Sequence, residues 1–128
     1  MRYLLDTHTL IWLLENNPEL SDRAQSFILD ETNELFVSIA SIWEMTIKSS
    51  LGKLNLSIPL SDLIAQKLIP SDIQLLPIQL EHLTVLQTLP FYHRDPFDRI
   101  LIAQAIADRL ILLSADKVFK NYDVDCNW

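Results

Sequence analysis

Leu110-Ile111-Leu112-Leu113 is apolar at every position, and a strand without a polar face must be covered on both sides. Arg2 to Asp6 holds a second short run of this kind, Tyr3-Leu4-Leu5, and Glu34 to Ile39 a third, rich in Phe, Val and Ile. Between these runs the apolar residues recur at helical spacing. Doubly buried strands separated by helices fold as a parallel sheet with helices on either side. The 128 residues contain no Ser/Gly-rich linker, low-complexity tract or internal repeat, so one domain spanning 1–128 is expected. Its architecture is expected to be α/β in three layers, a central parallel sheet of four or five short strands with helices on both faces.

Start and stop signals place the helices. Thr7 to Glu15 is stopped by Asn16-Asn17-Pro18. Ser21-Asp22 opens a helix to about Asp30, with Ala24, Phe27 and Ile28 on one face. Ile42 to Leu51 reads as a helix ended by Gly52, the chain's one glycine. Pro59 and Pro70 bracket another, whose Leu60, Leu63, Ile64 and Leu68 form a stripe. Ile73 to Ile78 is a weaker strand, and Pro77 places it near a sheet edge or strand end. Glu81 to Leu89 is a short helix stopped by Pro90. Asp95-Pro96 opens a helix to about Asp108, with Asp as cap and Pro at the first helical position. That helix is apolar almost all round and is expected to be buried. A helical turn near Asp116 and an edge strand around Tyr122 to Val124 complete the reading.

Four acids stand out against this layout: Asp6, Glu44, Asp98 and Asp116. Each follows an apolar run and sits at the expected start of a helix. In a parallel α/β sheet the carboxyl ends of neighbouring strands open on one edge, where ligands bind. Each acid has a plain structural explanation by itself. Ser41-x-x-Glu44 is a capping-box pattern, Asp98 lies in a first turn after the cap Asp95, and Asp6 and Asp116 can cap the segments after them. Capping, however, needs only a neutral acceptor, which Ser, Thr or Asn supplies equally well. Acids at all four places suit a cluster of hard-cation ligands, because carboxylates gathered in a partly dry cleft repel one another.

Residues Leu4-Leu5-Asp6-Thr7, Ile42-Trp43-Glu44 with Lys48, His93-Arg94-Asp95-Pro96-Phe97-Asp98-Arg99 leading into Ile102-Ala103-Gln104-Ala105, and Leu113-Ser114-Ala115-Asp116 resemble PIN-domain nucleases. Within these, the chain is most similar to the small PIN toxins of bacterial VapBC-type toxin–antitoxin modules. The resemblance spans essentially the whole sequence in motif order and spacing. It implies a PIN-like fold and a Mg²⁺- or Mn²⁺-dependent ribonuclease with Asp6, Glu44, Asp98 and Asp116 as the metal-holding and catalytic acids. It implies supporting roles at Ser114, Thr7 and Asp95. A homodimer and inhibition by a small antitoxin protein are further implications.

The chemistry of the residues agrees with a phosphodiesterase. Four acids exceed what one Mg²⁺ uses, and suit two ions, or one ion and an acid that orients the attacking water. A site rich in carboxylate and poor in histidine favours Mg²⁺ or Mn²⁺ over Zn²⁺. Only His8, His82 and His93 are present, without a Gly-x-Ser-x-Gly elbow, and one glycine cannot build a P-loop. Ten Lys and Arg against 17 acids leave −7, which argues against non-specific nucleic-acid binding. One or two divalent ions bring this to −5 or −3 and reverse the local field.

Lys48, Arg94, Arg99 and His93 are the candidates for substrate binding, with Phe91 and Tyr92 as bases' stacking partners. Trp12 and Trp43 read as core, and the dense Leu10, Ile11, Leu13 and Leu14 suggest a helix shared with a second subunit. No apolar stretch reaches the roughly 18 residues of a membrane span. The single Cys126 fits a reducing cytoplasm. The rival functions are a PIN nuclease of RNA maturation or decay, or one acting on DNA. A receiver-like phosphoryl-transfer domain is disfavoured, since Asp6-Thr7-His8 lacks a second acid. A non-catalytic binding module would need every acid to be a cap.

Overall fold

The computed structural model describes residues 1–128. Five short strands form one sheet: β1 (Arg2–Leu5), β2 (Glu34–Ser38), β3 (Gln74–Leu76), β4 (Ile111–Leu113) and β5 (Cys126–Asn127). Their order is β3-β2-β1-β4-β5 and every pairing is parallel. The helices are α1 (Thr7–Leu14), α2 (Asp22–Leu29), α3 (Ile39–Ser50), α4 (Leu60–Leu63), α5 (Leu80–Thr88) and α6 (Pro96–Asp108). This is the expected PIN-like α/β architecture.

Alternation along each strand divides the apolar side chains between two cores. Leu4, Phe36 and Leu112 face α6, packing with Ile100, Leu101, Ala103 and Phe119. Tyr3, Leu5, Leu35, Val37 and Leu113 face the other way, against Leu10 and Leu14 of α1, Ala24 of α2, and Leu63. Helix α3 belongs to both sides: Ala40 enters the first core and Met45 the second. It touches α1 and α6.

Local differences from the sequence reading have local causes. Helix α3 begins at Ile39 because Ser38, not Ser41, caps it, with its Oγ accepting from Ala40 N at 3.0 Å. Glu44 therefore lies in mid-helix and has no part in a capping box. The segment after α4 continues to Leu68 as a wide turn, closed by Ile69 N donating to Ile64 O at 2.9 Å, an i to i+5 bond. The last strand is Cys126–Asn127 rather than Tyr122–Val124, because Tyr122 turns inward at the end of a 3₁₀ segment, Lys117–Asn121. Pro77 stands just beyond β3, which is an edge strand as expected.

Trp43 is 58% exposed, contrary to the reading of it as core. It meets Phe97 edge-on at 5.1 Å. Along α1, Leu10 and Leu14 are buried in the chain's own core, and Ile11 and Leu13 are partly buried against it.

Candidate functional site

Asp6 follows the last residue of β1, the middle strand, at the point where connections depart in opposite directions. Its backbone N–H donates to Leu113 O at 3.2 Å, which fixes it beside the end of β4. One carboxylate oxygen, Oδ1, accepts from Thr9 N at 2.8 Å and so caps α1. The other, Oδ2, accepts from Ser114 Oγ. Ser114 Oγ in turn accepts from Asp116 N at 3.0 Å. The residue expected to support the site thus joins two of its acids.

Asp116 is also a cap, its Oδ1 accepting from Val118 N at 2.9 Å. Its Oδ2 faces inward, 3.6 Å from His93 Nε2. The same nitrogen lies 2.8 Å from Asp98 Oδ2. The ligand atoms of His93, Asp98 and Asp116 lie within 4.8 Å of one another. Asp98 does no capping, since Asp95 Oδ1 takes Phe97 N at 2.8 Å and Asp98 N at 3.4 Å. The cap at Asp95 leaves the Asp98 carboxylate free for the cleft.

Glu44 is buried in mid-helix with both oxygens engaged. Thr7 Oγ1 donates to Oε1 at 2.7 Å and lies 3.0 Å from Ser41 Oγ. Lys48 Nζ donates to Oε2 at 2.7 Å, one helical turn on. This ion pair raises the Lys48 pKa, and Asp95 and Asp98 add to the effect, so the ammonium stands at the margin of the acid cluster. Ser41, buried beside Thr7, was legible in sequence only as a helix cap.

The electrostatics record the crowding. Burial pushes the Asp98 carboxyl from 3.8 up to about 7, and Asp95, Glu44 and Asp6 push the same way against His93. Burial also raises Asp6, offset by hydrogen bonds from Ser114 and Thr9. The bland reading is therefore half true: Asp6 and Asp116 are caps, but Glu44 and Asp98 are not. Asp98 and Asp116 converge on His93, Ser114 joins Asp116 to Asp6, and Glu44 and Asp6 both add to the upward push on Asp98. Such a carboxylate-rich donor set fits a hard divalent cation.

The cationic candidates divide. Arg94 is exposed. Arg99 is buried, and its guanidinium donates to three backbone carbonyls, Pro90 at 2.9 Å, Leu89 at 3.3 Å and His93 at 3.4 Å. It also stacks on the Phe91 ring, 4.1 Å from its centroid. Its donors are spent on the loop before α6, which leaves it poorly placed to meet substrate. Tyr122 pins the same loop from the other side: its hydroxyl accepts from His93 N and donates to Pro90 O, both at 2.8 Å. Nothing in the sequence pointed to Tyr122, whose partners lie 29 and 32 residues away.

A parallel α/β fold with acids from β1, α3, α6 and the end of β4 gathered at one edge defines a class of domain rather than a single protein. Residues 3–125 match the PIN domain, and the chain belongs to this family, whose members are nucleases. Its fold is shared with VapBC2 from Rickettsia felis bound to a DNA fragment from their promoter, at TM-score 0.75 and 15% identity over 99% of this chain and 98% of that one. VapBC-1 from nontypeable Haemophilus influenzae gives TM-score 0.68 and 22% identity over 99% and 97%. DNA-bound VapBC from Salmonella typhimurium gives 0.70 and 16% over 99% and 97%. No curated protein matches the sequence.

Proposed function

We propose that the chain, as one domain over 1–128, is a metal-dependent endoribonuclease acting as the toxin of a VapBC-type toxin–antitoxin module. One observation carries the reading: Asp98 and Asp116 converge on His93 Nε2 at 2.8 and 3.6 Å while Ser114 joins Asp116 to Asp6, so acids from separate elements gather at the carboxyl edge of the sheet. Asp6 and Asp98 are the core ligands for Mg²⁺ or Mn²⁺, with Glu44 and Asp116 completing the set. Bound there, the ion supplies Lewis acidity toward the attacking water and the phosphoryl oxygen.

The protein's own residues do the positioning. Ser114 and Thr9 fix Asp6, and Thr7 and Lys48 fix Glu44. Lys48 and Arg94 offer positive charge to the RNA backbone from the rim. Phe91 and Tyr92, 78% and 60% exposed, suit stacking on unpaired bases. The fold shared with VapBC proteins supports a small antitoxin as partner, acting in the cytoplasm; no helix is long and apolar enough to cross a membrane.

A homodimer is supported by α3 and the residue after it, where Ile39, Trp43, Ile47 and Leu51 recur every fourth residue and Ile39, Trp43 and Leu51 are exposed. Trp43→Asp is expected to halve the mass seen by light scattering at micromolar concentration. An unchanged mass would remove α3 from the interface.

The function is tested by incubating total cellular RNA with the purified chain in Mg²⁺, in Mn²⁺ and in EDTA, beside Asp6→Asn. Discrete products are expected with either metal, and none with EDTA or the variant. Cleavage of DNA but not RNA would move the chain to the other branch of the family's chemistry. Products that persist in EDTA would overturn the metal site.

A further inference from the structure

We propose that His93 is a positioning residue of this site, whose Nε2–H stands between Asp98 and Asp116 and shapes the opening that receives the divalent ion. The proposal rests on the metal-site reading above. Asp98 belongs to the first turn of α6, and Asp116 caps the 3₁₀ segment after β4, so no shared element fixes their spacing. His93 Nε2 is the group that spans them, at 2.8 and 3.6 Å. The nitrogen is buried and makes no well-formed hydrogen bond: it is close to Asp98 but poorly aligned, and Asp116 lies just beyond hydrogen-bond reach.

The loop is built to deliver that ring. Residues 89–95 run between the cap of α5 and the cap of α6, and Arg99 and Tyr122 hold five of their backbone contacts. Asp95 N donates to His93 Nδ1 at 3.3 Å, and Phe119 lies against the ring at 6.0 Å. With Nδ1 accepting, the neutral ring carries its proton on Nε2. His93 therefore faces the carboxylates as a donor, and direct ligation through Nε2 would require the other tautomer.

The test is Mn²⁺ binding followed by electron paramagnetic resonance at about pH 8, where an ordinary imidazole is neutral. Wild type, His93→Gln and His93→Leu are compared, with melting curves as the control on folding. His93→Leu is expected to bind Mn²⁺ roughly 10–100-fold more weakly, the usual effect of removing a group that orients a metal ligand. His93→Gln keeps a donor amide at similar reach and is expected to recover most of the affinity. If His93→Leu does not fold, Tyr122→Phe, which frees the loop without touching the acids, is expected to weaken binding several-fold. Unchanged or tighter binding in His93→Leu would overturn the proposal, as would nitrogen hyperfine coupling to Mn²⁺ in wild type that His93→Gln abolishes. Wild type that binds no Mn²⁺ would overturn the metal-site reading along with it. Binding without RNA cleavage would leave the role of His93 standing and defeat the nuclease reading alone.

Discussion

Asp98→Asn is expected to abolish cleavage and, in the same protein, to make the metal-free chain harder to unfold. Loss of a carboxylate proposed as a core ligand should lower the rate on the order of 10³-fold or more. The stability effect runs the other way because Asp98 is held under strain. Its carboxyl titrates near 7 in the fold against an ordinary 3.8, chiefly through burial and then through Asp95. The native state therefore holds this proton more tightly than the unfolded chain, and stability falls as pH rises between about 4 and 7. Below that window both states are protonated and the penalty vanishes; above it the penalty is complete.

Asn at this position removes the charge. After allowance for solvent screening, the gain at pH 8 without metal is about 1–2 kcal/mol, or roughly 3–6 °C in melting temperature. Mg²⁺ or Mn²⁺ should stabilise wild type at pH 8 and lose that effect in the variant. Thermal melts from pH 4 to 8, with EDTA and with Mn²⁺, check both signs. A metal-free melting temperature that rises with pH across the window would contradict the account.

The largest loss of stability is expected from Arg99→Met. The guanidinium is buried, satisfies three carbonyls of one loop and covers the Phe91 ring. Methionine retains the apolar stem and strands the acceptors, at about 2–4 kcal/mol, or roughly 10 °C of melting temperature. Arg99→Lys should recover little, because one ammonium cannot reproduce the planar fork that reaches three oxygens. Metal affinity should fall with it, since the unpinned loop no longer presents His93. A variant that melts like wild type would show the carbonyls to be adequately solvated without Arg99.

What the sequence revealed followed from signals that act over a few residues. The continuous apolar strand Leu110 to Leu113 and the Asp95-Pro96 helix start required no tertiary knowledge, and both stand where expected. The start of α3 did require it. Ser38 and Ser41 are equally good caps, and the choice between them is made by Ala40, which must enter the core below. That choice moves Glu44 from a cap to the interior of a helix, where Thr7 and Lys48 can reach it.

The exposure of Trp43 was hidden for a related reason. It is flanked by Ile42 and Met45, and periodicity marks an apolar helix face without saying what covers it. The four acids could be proposed as a set from the sequence because a parallel topology brings strand ends together. The position of His93 among them could not, since it depends on a loop without periodicity, held by Arg99 and by Tyr122 from 29 residues away.

The pairing of β4 beside β1 has a consequence in time. Ser114 and Asp6, which meet at this seam, are 108 residues apart in the chain. Contacts of such separation form late, because closing so long a loop is costly before other contacts reward it. Strand β1 leads in sequence and lies in the middle of the sheet, so it must wait with one side open until β4 arrives. Until then Asp6 has neither Ser114 nor Asp116 beside it. A chain emerging from the ribosome thus lacks the Asp6–Ser114–Asp116 constellation until its last strands are laid down.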